Sequence, residues 1–441
     1  MTLSLLLLFL LPLLLSFAHE NPNVELSNIA YLHDDLLTTL QHRLSQPSPL
    51  PPYHAERISY DERLTPLEFR DRYAKRSIPV VIGSRSDNDQ PPQHFWSKTE
   101  WNSTYFKNNC DVPARIRIGT QETPLWEWEL VYVKLRTYIE FIEGQREFIT
   151  VQVESSIEGS SSESSSSGSG EEQREIYQPD NTYLFDFPLS LCPAAVLDDF
   201  LMPRWFANDL LTLCYFGEED DVTRCPYNQG EWPSLFIGAP SFQKSPLHRD
   251  TFGSSFFSIQ LAGTKTWRMY PAEDSALLCP INACCKYLIT DVLGRDNNLS
   301  SSSSSPVCPL LEHARYVDVV VNPGEILYVP SGSPHQVLSS DLEGGMTIMI
   351  GMNLVQEVDV EKVLEATRPK VLRESSNGED GEEQRFYTSA KYTQLYRFFS
   401  KHRDDFSTWT EEWESASGGD HVPFREFERR LKLLQQRKEE L

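Results

Sequence analysis

The sequence predicts a mainly β fold, a barrel or jelly roll with flanking helices and a helical C-terminal tail. Three observations lead there. Between Pro79 and Met352 the chain is a succession of short β-rich runs bounded by Gly, Pro or Ser, a pattern that favours a barrel or jelly roll over a parallel sheet. Ahead of these runs, Thr65-Pro66 opens a helical patch over Leu67 to Tyr73, with Thr65 placed to cap and Pro66 at the first helical position. Beyond Tyr387, the positions Tyr392, Leu395, Tyr396 and Phe399 fall at helical spacing.

The strands expected in order are Pro79 to Gly83, Leu235 to Gly238, Phe256 to Leu261, Lys265 to Tyr270, Ile326 to Val329 and Thr347 to Ile350, each rich in β-branched or aromatic residues. Two low-complexity stretches interrupt them. Glu154 to Glu175 is mostly Ser, Glu and Gly, and Ser300 to Ser305 is a serine run; both read as disordered surface loops, because neither composition can bury a core. An acidic linker, Glu374 to Glu383, precedes the tail, which is expected to pack as helices against the body or against a second subunit, the latter making a homodimer through the C-terminal helices.

The charge excludes one class of partner. The 441 residues hold 64 Asp and Glu against 40 Lys and Arg, a formal charge of -24, and a surface this acidic repels phosphates, so no nucleic acid is expected. Much of the acid lies in the low-complexity and linker stretches, so the total says little about a pocket.

Both ends read as addresses. Leu3 to Leu15 is apolar apart from Ser4 and Pro12 and runs into Ser16-Phe17-Ala18, so residues 1–18 are expected to form a cleaved signal peptide; the run is too short for a membrane anchor, and no membrane span is expected after cleavage. Lys438-Glu439-Glu440-Leu441 resembles a retrieval tetrapeptide, and the two together point to the lumen of the endoplasmic reticulum. Eight cysteines and no Cys-x-x-Cys agree with disulfides in an oxidising compartment, with local bridges expected among Cys279, Cys284, Cys285 and Cys308. Asn102-Ser103-Thr104 and Asn298-Leu299-Ser300 are glycosylation sequons.

The chemistry concentrates in Ser245-Pro246-Leu247-His248-Arg249-Asp250 and in Val329-Pro330-Ser331-Gly332-Ser333-Pro334-His335. On a strand, positions i and i+2 share a face, so His248 and Asp250 can both aim into a barrel, and a second histidine from a distant strand would complete a facial two-histidine, one-carboxylate set suited to non-haem Fe(II). Downstream, Gln260 to Trp267 reads as a turn that delivers Lys265 into an aromatic-rich hairpin. A buried lysine there is costly unless it meets an anion such as a carboxylate. The chain contains no HExxH, P-loop, GxSxG or dinucleotide fingerprint.

The stretch from about Leu67 to Leu354 resembles the jumonji-C family of Fe(II)- and 2-oxoglutarate-dependent oxygenases, nearest the branch of protein hydroxylases and arginine demethylases. The resemblance is carried by Pro79-Val80-Val81-Ile82, Thr182 to Asp186, Pro203 to Leu211, His248 to Ser255, Gly263 to Trp267 and Pro323 to Pro330 in that order. It implies a double-stranded β-helix of the cupin type; together with the addresses, the low-complexity stretches and the tail, the expected layout is residues 1–18 signal, 19–60 extension, 61–360 oxygenase domain with insertions near 154–175 and 297–306, and 361–441 linker and helical tail. It makes His248, Asp250 and His335 the iron ligands and assigns no catalytic residue beyond them. Lys265 matches the lysine that pairs with the distal carboxylate of 2-oxoglutarate, Tyr183 the tyrosine that assists it, Ser245 a hydroxyl on the same carboxylate, and Asn353 an asparagine near the iron. Ser258 and Gly351 stand where near relatives carry larger polar side chains that help hold the cosubstrate. Implied cofactors are Fe(II), 2-oxoglutarate and O2, and the implied reaction is hydroxylation of a protein or peptide side chain, Lys, Arg or another, in a secretory client. The rival expectations are a non-catalytic cupin-like scaffold in the same lumen and a cupin that holds another metal without 2-oxoglutarate.

Overall fold

The structure is a computed structural model that describes residues 39, 51–60, 64–83, 96–120, 123, 125–153, 173–211, 233–239, 244–280, 286–287, 291–293, 308, 310–340, 345–368, 390–408, 410–411, 422–423 and 429. The N-terminal apolar segment, the serine run, the acidic linker, the C-terminal tetrapeptide, the Asn298 sequon, Cys214, Cys225, Cys284 and Cys285 lie outside the described residues.

Sixteen strands are described: β1 Glu56–Ser59, β2 Val80–Gly83, β3 Pro113–Ile118, β4 Glu129–Lys134, β5 Ile149–Val153, β6 Gln173–Ile176, β7 Thr182–Pro188, β8 Leu201–Met202, β9 Ser234–Gly238, β10 Ser255–Ala262, β11 Thr264–Met269, β12 Val317–Val321, β13 Ile326–Val329, β14 His335–Ser340, β15 Thr347–Leu354 and β16 Val422–Pro423. The helices are α1 Pro66–Phe69, α2 Ser103–Asn109, α3 Leu135–Ile142, α4 Ala194–Asp199, α5 Val360–Thr367 and α6 Ala390–Lys401. Eleven strands make one large sheet in the order β1-β2-β13-β10-β15-β9-β7-β3-β4-β5-β6, and β12-β11-β14 make a facing small sheet. The segment 244–248 adds a fourth, irregular edge to the small sheet through Ser245 N to Val337 O at 2.8 Å and the exchanged pair His248 N to His335 O at 3.0 Å and His335 N to His248 O at 2.7 Å. This is the mainly β, double-sheet architecture expected.

Two-residue alternation gives the large sheet two cores. On β10, Phe257 and Ile259 face outward to the helical layer, where Phe257 stacks on Phe206 at 4.6 Å, and Phe206 in turn packs on Tyr328 and Phe69. Phe256 faces the other way, into the space between the sheets, with Val81, Phe236, Leu327 and Met349 from the large sheet and Trp267, Met269 and Val337 from the small one. Helix α1 begins as its sequence requires. Thr65 and Glu68 form a reciprocal capping box with Pro66 in the first turn, and the helix widens into a π turn at Arg70–Ala74.

Several expectations need correction. Lys265 does not enter a hairpin: β10 and β11 belong to different sheets, and the turn between them carries the chain across the barrel. Gly263 makes that crossing at φ 66°, where a Cβ would lie 2.7 Å from Thr347 Cγ2 and 2.9 Å from the Met346 carbonyl. The stretch 154–175 is not loop throughout, since Gln173, Arg174 and Glu175 belong to β6 and pair with β5; Ile149 and Ile176 close that ladder. The tail helix α6 spends its apolar stripe on its own chain. Tyr392, Leu395 and Phe399 are buried in the outer core, and the Tyr392 ring lies 4.8 Å from that of Phe252, so this stripe supplies no face for a homodimer. Of the cysteines, Cys279 and Cys308 form the local bridge expected, whereas Cys110 and Cys192, 82 residues apart, tie α2 to the turn before α4. Among the described residues no helix is long and apolar enough to cross a membrane.

Candidate metal centre

Three side chains meet where the irregular edge strand joins β14. One ligand atom from each of His248, Asp250 and His335 lies within 4.8 Å of the others. His248 and Asp250, expected on a regular strand, stand instead where a strand ends: His248 sits at a single bridge to His335, and Asp250 precedes the tight turn Thr251–Gly253. The strand ends at the ligands because Phe252 takes φ 61° to make that turn, a conformation that costs a non-glycine residue about 1 kcal/mol or more. Three fixings hold it. Tyr392 packs on the Phe252 ring, Ser331 Oγ donates to the Gly253 carbonyl, and a Cβ at Gly253 would stand 3.3 Å from the Lys362 carbonyl of α5.

The donor set fits a divalent cation. Each imidazole has its Nδ1 on a backbone carbonyl two residues upstream, His248 on Pro246 at 2.8 Å and His335 on Ser333 at 3.0 Å, which leaves Nε2 of each for a metal. Burial holds both histidines down to about 4, reinforced at His248 by the neighbouring His335, so they are neutral at pH 7. Asp250 is pushed upward by burial, against the pull of His248 and a hydrogen bond from Asn353. A carboxylate in that position gains from a cation. Asn353 also donates from Nδ2 to Ser254 Oγ at 2.9 Å, so one amide ties the carboxylate to the turn.

The centre opens into a cavity of about 370 Å3 between the sheets. Its deep end holds Lys265, 2% exposed, whose Nζ donates to Tyr183 Oη at 3.1 Å. Burial alone drags the ammonium down to about 7, and among the described residues no carboxylate answers it. That is the signature of a cation waiting for an anion. Ser245 lines the same cavity; its Oγ accepts from Val337 N at 2.9 Å, which leaves its proton to donate.

Seven of the eight side chains anticipated from sequence therefore surround one cavity. The exception is Ser258. It is buried in β10 with an Oγ that has no partner, and it does not line the cavity. The reason lies next to it: a Cβ at Gly351 would fall 2.5 Å from the Phe256 ring, so that ring fills the place where a larger polar side chain would otherwise stand. Two residues escaped the sequence argument. Trp267, two positions after Lys265 on β11 and hence on the same face, lies 5.5 Å from His335 and lines the cavity with its indole N–H unsatisfied. The alternation around Lys265 could have found it. Arg117 lines the opposite wall from β3, and nothing in its local sequence marked it.

Comparison with known proteins agrees with this geometry. The model of a family described as "Cupin-like domain" matches residues 66–359. The chain is 28% identical over 163 residues to "2-oxoglutarate and iron-dependent oxygenase JMJD4" of Mus musculus, covering 36% of this chain and 34% of that protein. It is 25% identical over 288 residues to the Drosophila melanogaster homolog of the same name, covering 63% of this chain and 60% of that one. To "Lysine-specific demethylase JMJ21" of Arabidopsis thaliana it is 23% identical over 297 residues, 66% of this chain and 24% of that protein. In none of the three does the match reach two thirds of the relative's own length.

Proposed function

From the premise that this chain belongs to the cupin-like, jumonji-C family of iron- and 2-oxoglutarate-dependent oxygenases, we propose that it hydroxylates a protein side chain of a client in the lumen of the endoplasmic reticulum. The observation that carries the reading is the pairing, in one cavity, of the His248, Asp250 and His335 donor set with an uncompensated buried ammonium at Lys265.

When bound, Fe(II) with 2-oxoglutarate and O2 supplies the oxidation: the cosubstrate leaves as succinate and carbon dioxide, and one oxygen atom enters a substrate C–H bond. His248, Asp250 and His335 would hold the metal, at a centre that opens onto the cavity they line. Lys265, steadied by Tyr183, would take the distal carboxylate, with the Ser245 hydroxyl as a further donor. Trp267 and Phe256 supply dry walls, which exclude water and strengthen each charge contact. Asn353 keeps Asp250 turned to the metal.

The lumenal placement is supported by the Cys110–Cys192 and Cys279–Cys308 disulfides, which a reducing compartment would not maintain, and by the apolar segment Leu3 to Leu15. Asn102 suits glycosylation there. Its Oδ1 caps α2 by accepting from Tyr105 N at 2.9 Å, and the Nδ2 that would carry a glycan donates to the exposed Glu100 carboxylate at 3.4 Å.

The test is anaerobic titration of Fe(II) and 2-oxoglutarate, reading the weak visible charge-transfer band of the chelate. The wild type should show the band and His248→Ala should not. A wild type without a band, or an equal band in His248→Ala, would overturn the oxygenase reading and favour a non-catalytic scaffold. Mass spectrometry of secretory proteins with and without His248→Ala then seeks the side chain that loses one oxygen.

A further inference from the structure

This inference deepens the reading just given and rests on its cavity. The protein carries -24 overall, yet its cavity wall is basic. Setting aside Asp250 and Lys265, its charged side chains are Arg117, Lys244, Arg249 and Lys286 against Asp186 alone. They converge from three separate stretches: β3, the ligand-bearing segment, and the excursion between β11 and β12, where Lys286 bridges to His248. Charge of one sign gathered in a concave site selects a ligand of the other.

Arg117 is the one placed to select. It stands opposite Tyr183 in the β3 and β7 register, and its guanidinium lies 5.4 Å over the Phe185 ring. Lys265 stands on the preceding inward ring of the same strand, 5.6 Å from the Tyr183 centroid, and the two rings are 5.9 Å apart. A bulge between Leu184 and Phe187, with Asp186 at φ 57°, turns both Phe185 and Asp186 toward the cavity. So β7 presents two cations on successive rings. The first is used by the cosubstrate. Of the five N–H groups of the second, one hydrogen bond is made among the described residues, to the Leu125 carbonyl at 3.3 Å. Burial and the neighbouring Arg115 hold the guanidinium below its ordinary range, with Asp186 opposing.

We propose that Arg117 is a specificity-determining residue that binds a substrate carboxylate, so that the protein acts on an acidic segment of its client, oxidising a side chain next to Asp or Glu. A peptide fits better than a small acid because the wall carries Arg249 and Lys286 as well as Arg117, whereas Lys244 is paired with Asp291 at 2.8 Å and adds no net charge; the cavity of about 370 Å3 takes a cosubstrate and one side chain.

Two short fluorescein-labelled peptides, a leucine flanked by glutamates and its lysine-flanked counterpart, test this by anisotropy on the full chain without iron or cosubstrate. The glutamate peptide should bind at least about tenfold tighter, and Arg117→Gln should weaken it about tenfold to a hundredfold while leaving the lysine peptide unmoved. Arg117→Lys, which keeps the charge and loses the fork, should fall between; it carries the test if Arg117→Gln does not fold. Equal affinities, a preference for the lysine peptide, free glutamate competing as well as the peptide, or an Arg117→Gln defect confined to 2-oxoglutarate titration would each overturn the proposal. The charge-transfer band is read separately. Its absence in the wild type would count against the oxygenase reading, while the anisotropy still decides the charge preference.

Discussion

Replacing Lys265 with methionine keeps most of its volume and removes its charge, and two opposite effects should follow. Folding drags this lysine from 10.5 to about 7. Its folded-state value is depressed, so the unfolded chain binds the proton more tightly and the native state is penalised at every pH below the unfolded value. The penalty is complete below about pH 7 and fades as pH rises toward 10. A shift of that size is worth roughly 4–5 kcal/mol. Lys265→Met should therefore raise the melting temperature of the cosubstrate-free protein at pH 7. Affinity should move the other way. Loss of a buried, charge-assisted partner costs the distal carboxylate about 1.5–3 kcal/mol, or about tenfold to a hundredfold in Kd. The wild type adds a pH signature, because binding the carboxylate raises the lysine again: 2-oxoglutarate binding should be flat below pH 7 and weaken nearly tenfold per unit above pH 8. Equilibrium titration with Fe(II) under nitrogen at a series of pH values measures it, alongside calorimetric melting without ligand. A variant that melts lower, binds 2-oxoglutarate as well as the wild type, or retains the alkaline loss of affinity would refute the assignment.

Other expectations concern parts around that lysine. Tyr183→Phe keeps the ring and deletes the partner of Nζ, so 2-oxoglutarate should bind about threefold to tenfold more weakly with little change in melting. Asn353→Ala releases Asp250, and iron retained after dialysis, measured by elemental analysis, should correspond to about tenfold to a hundredfold weaker binding. Phe257→Ala empties the outer core beneath Phe206 and should cost about 3–5 kcal/mol in urea unfolding, leaving iron content intact in the folded fraction. Reduction should destabilise through the disulfides of the described residues, Cys279–Cys308 and Cys110–Cys192; loop lengths of 29 and 82 residues predict losses of about 3.5 and 4.5 kcal/mol, read one at a time with Cys279→Ser and Cys110→Ser.

The core strands were legible because each is a short run of β-branched and aromatic residues closed by turn-formers, and period-2 alternation settles which side chains face in. Lys265 was reached through the turn before it and the family resemblance; alternation from Lys265 could have reached Trp267. What the sequence did not disclose was which sheet each strand joins: β10 and β11 read as a hairpin, whereas the chain crosses at Gly263, whose φ of 66° and close approach to Thr347 suit a glycine. Ser258 failed for a related reason, since a ring two residues away fills its side of the barrel and this depends on the missing Cβ of Gly351. Arg117 was invisible because its meaning comes from β7, a strand more than sixty residues later. The acidic total also masked a basic cavity, as charge sums carry no information about placement.

The grip of Tyr392 on Phe252 has a consequence for how the protein matures. The turn that aims Asp250 at the metal is finished by a helix from near the far end of the chain, and Asn353 and His335 are likewise translated well after His248. During synthesis the first histidine and the carboxylate emerge without the pieces that orient them. Iron acquired at that stage would bind an unfinished, two-ligand site, so loading belongs after the tail has docked, and a chain halted before α6 should fold its strands yet hold metal poorly.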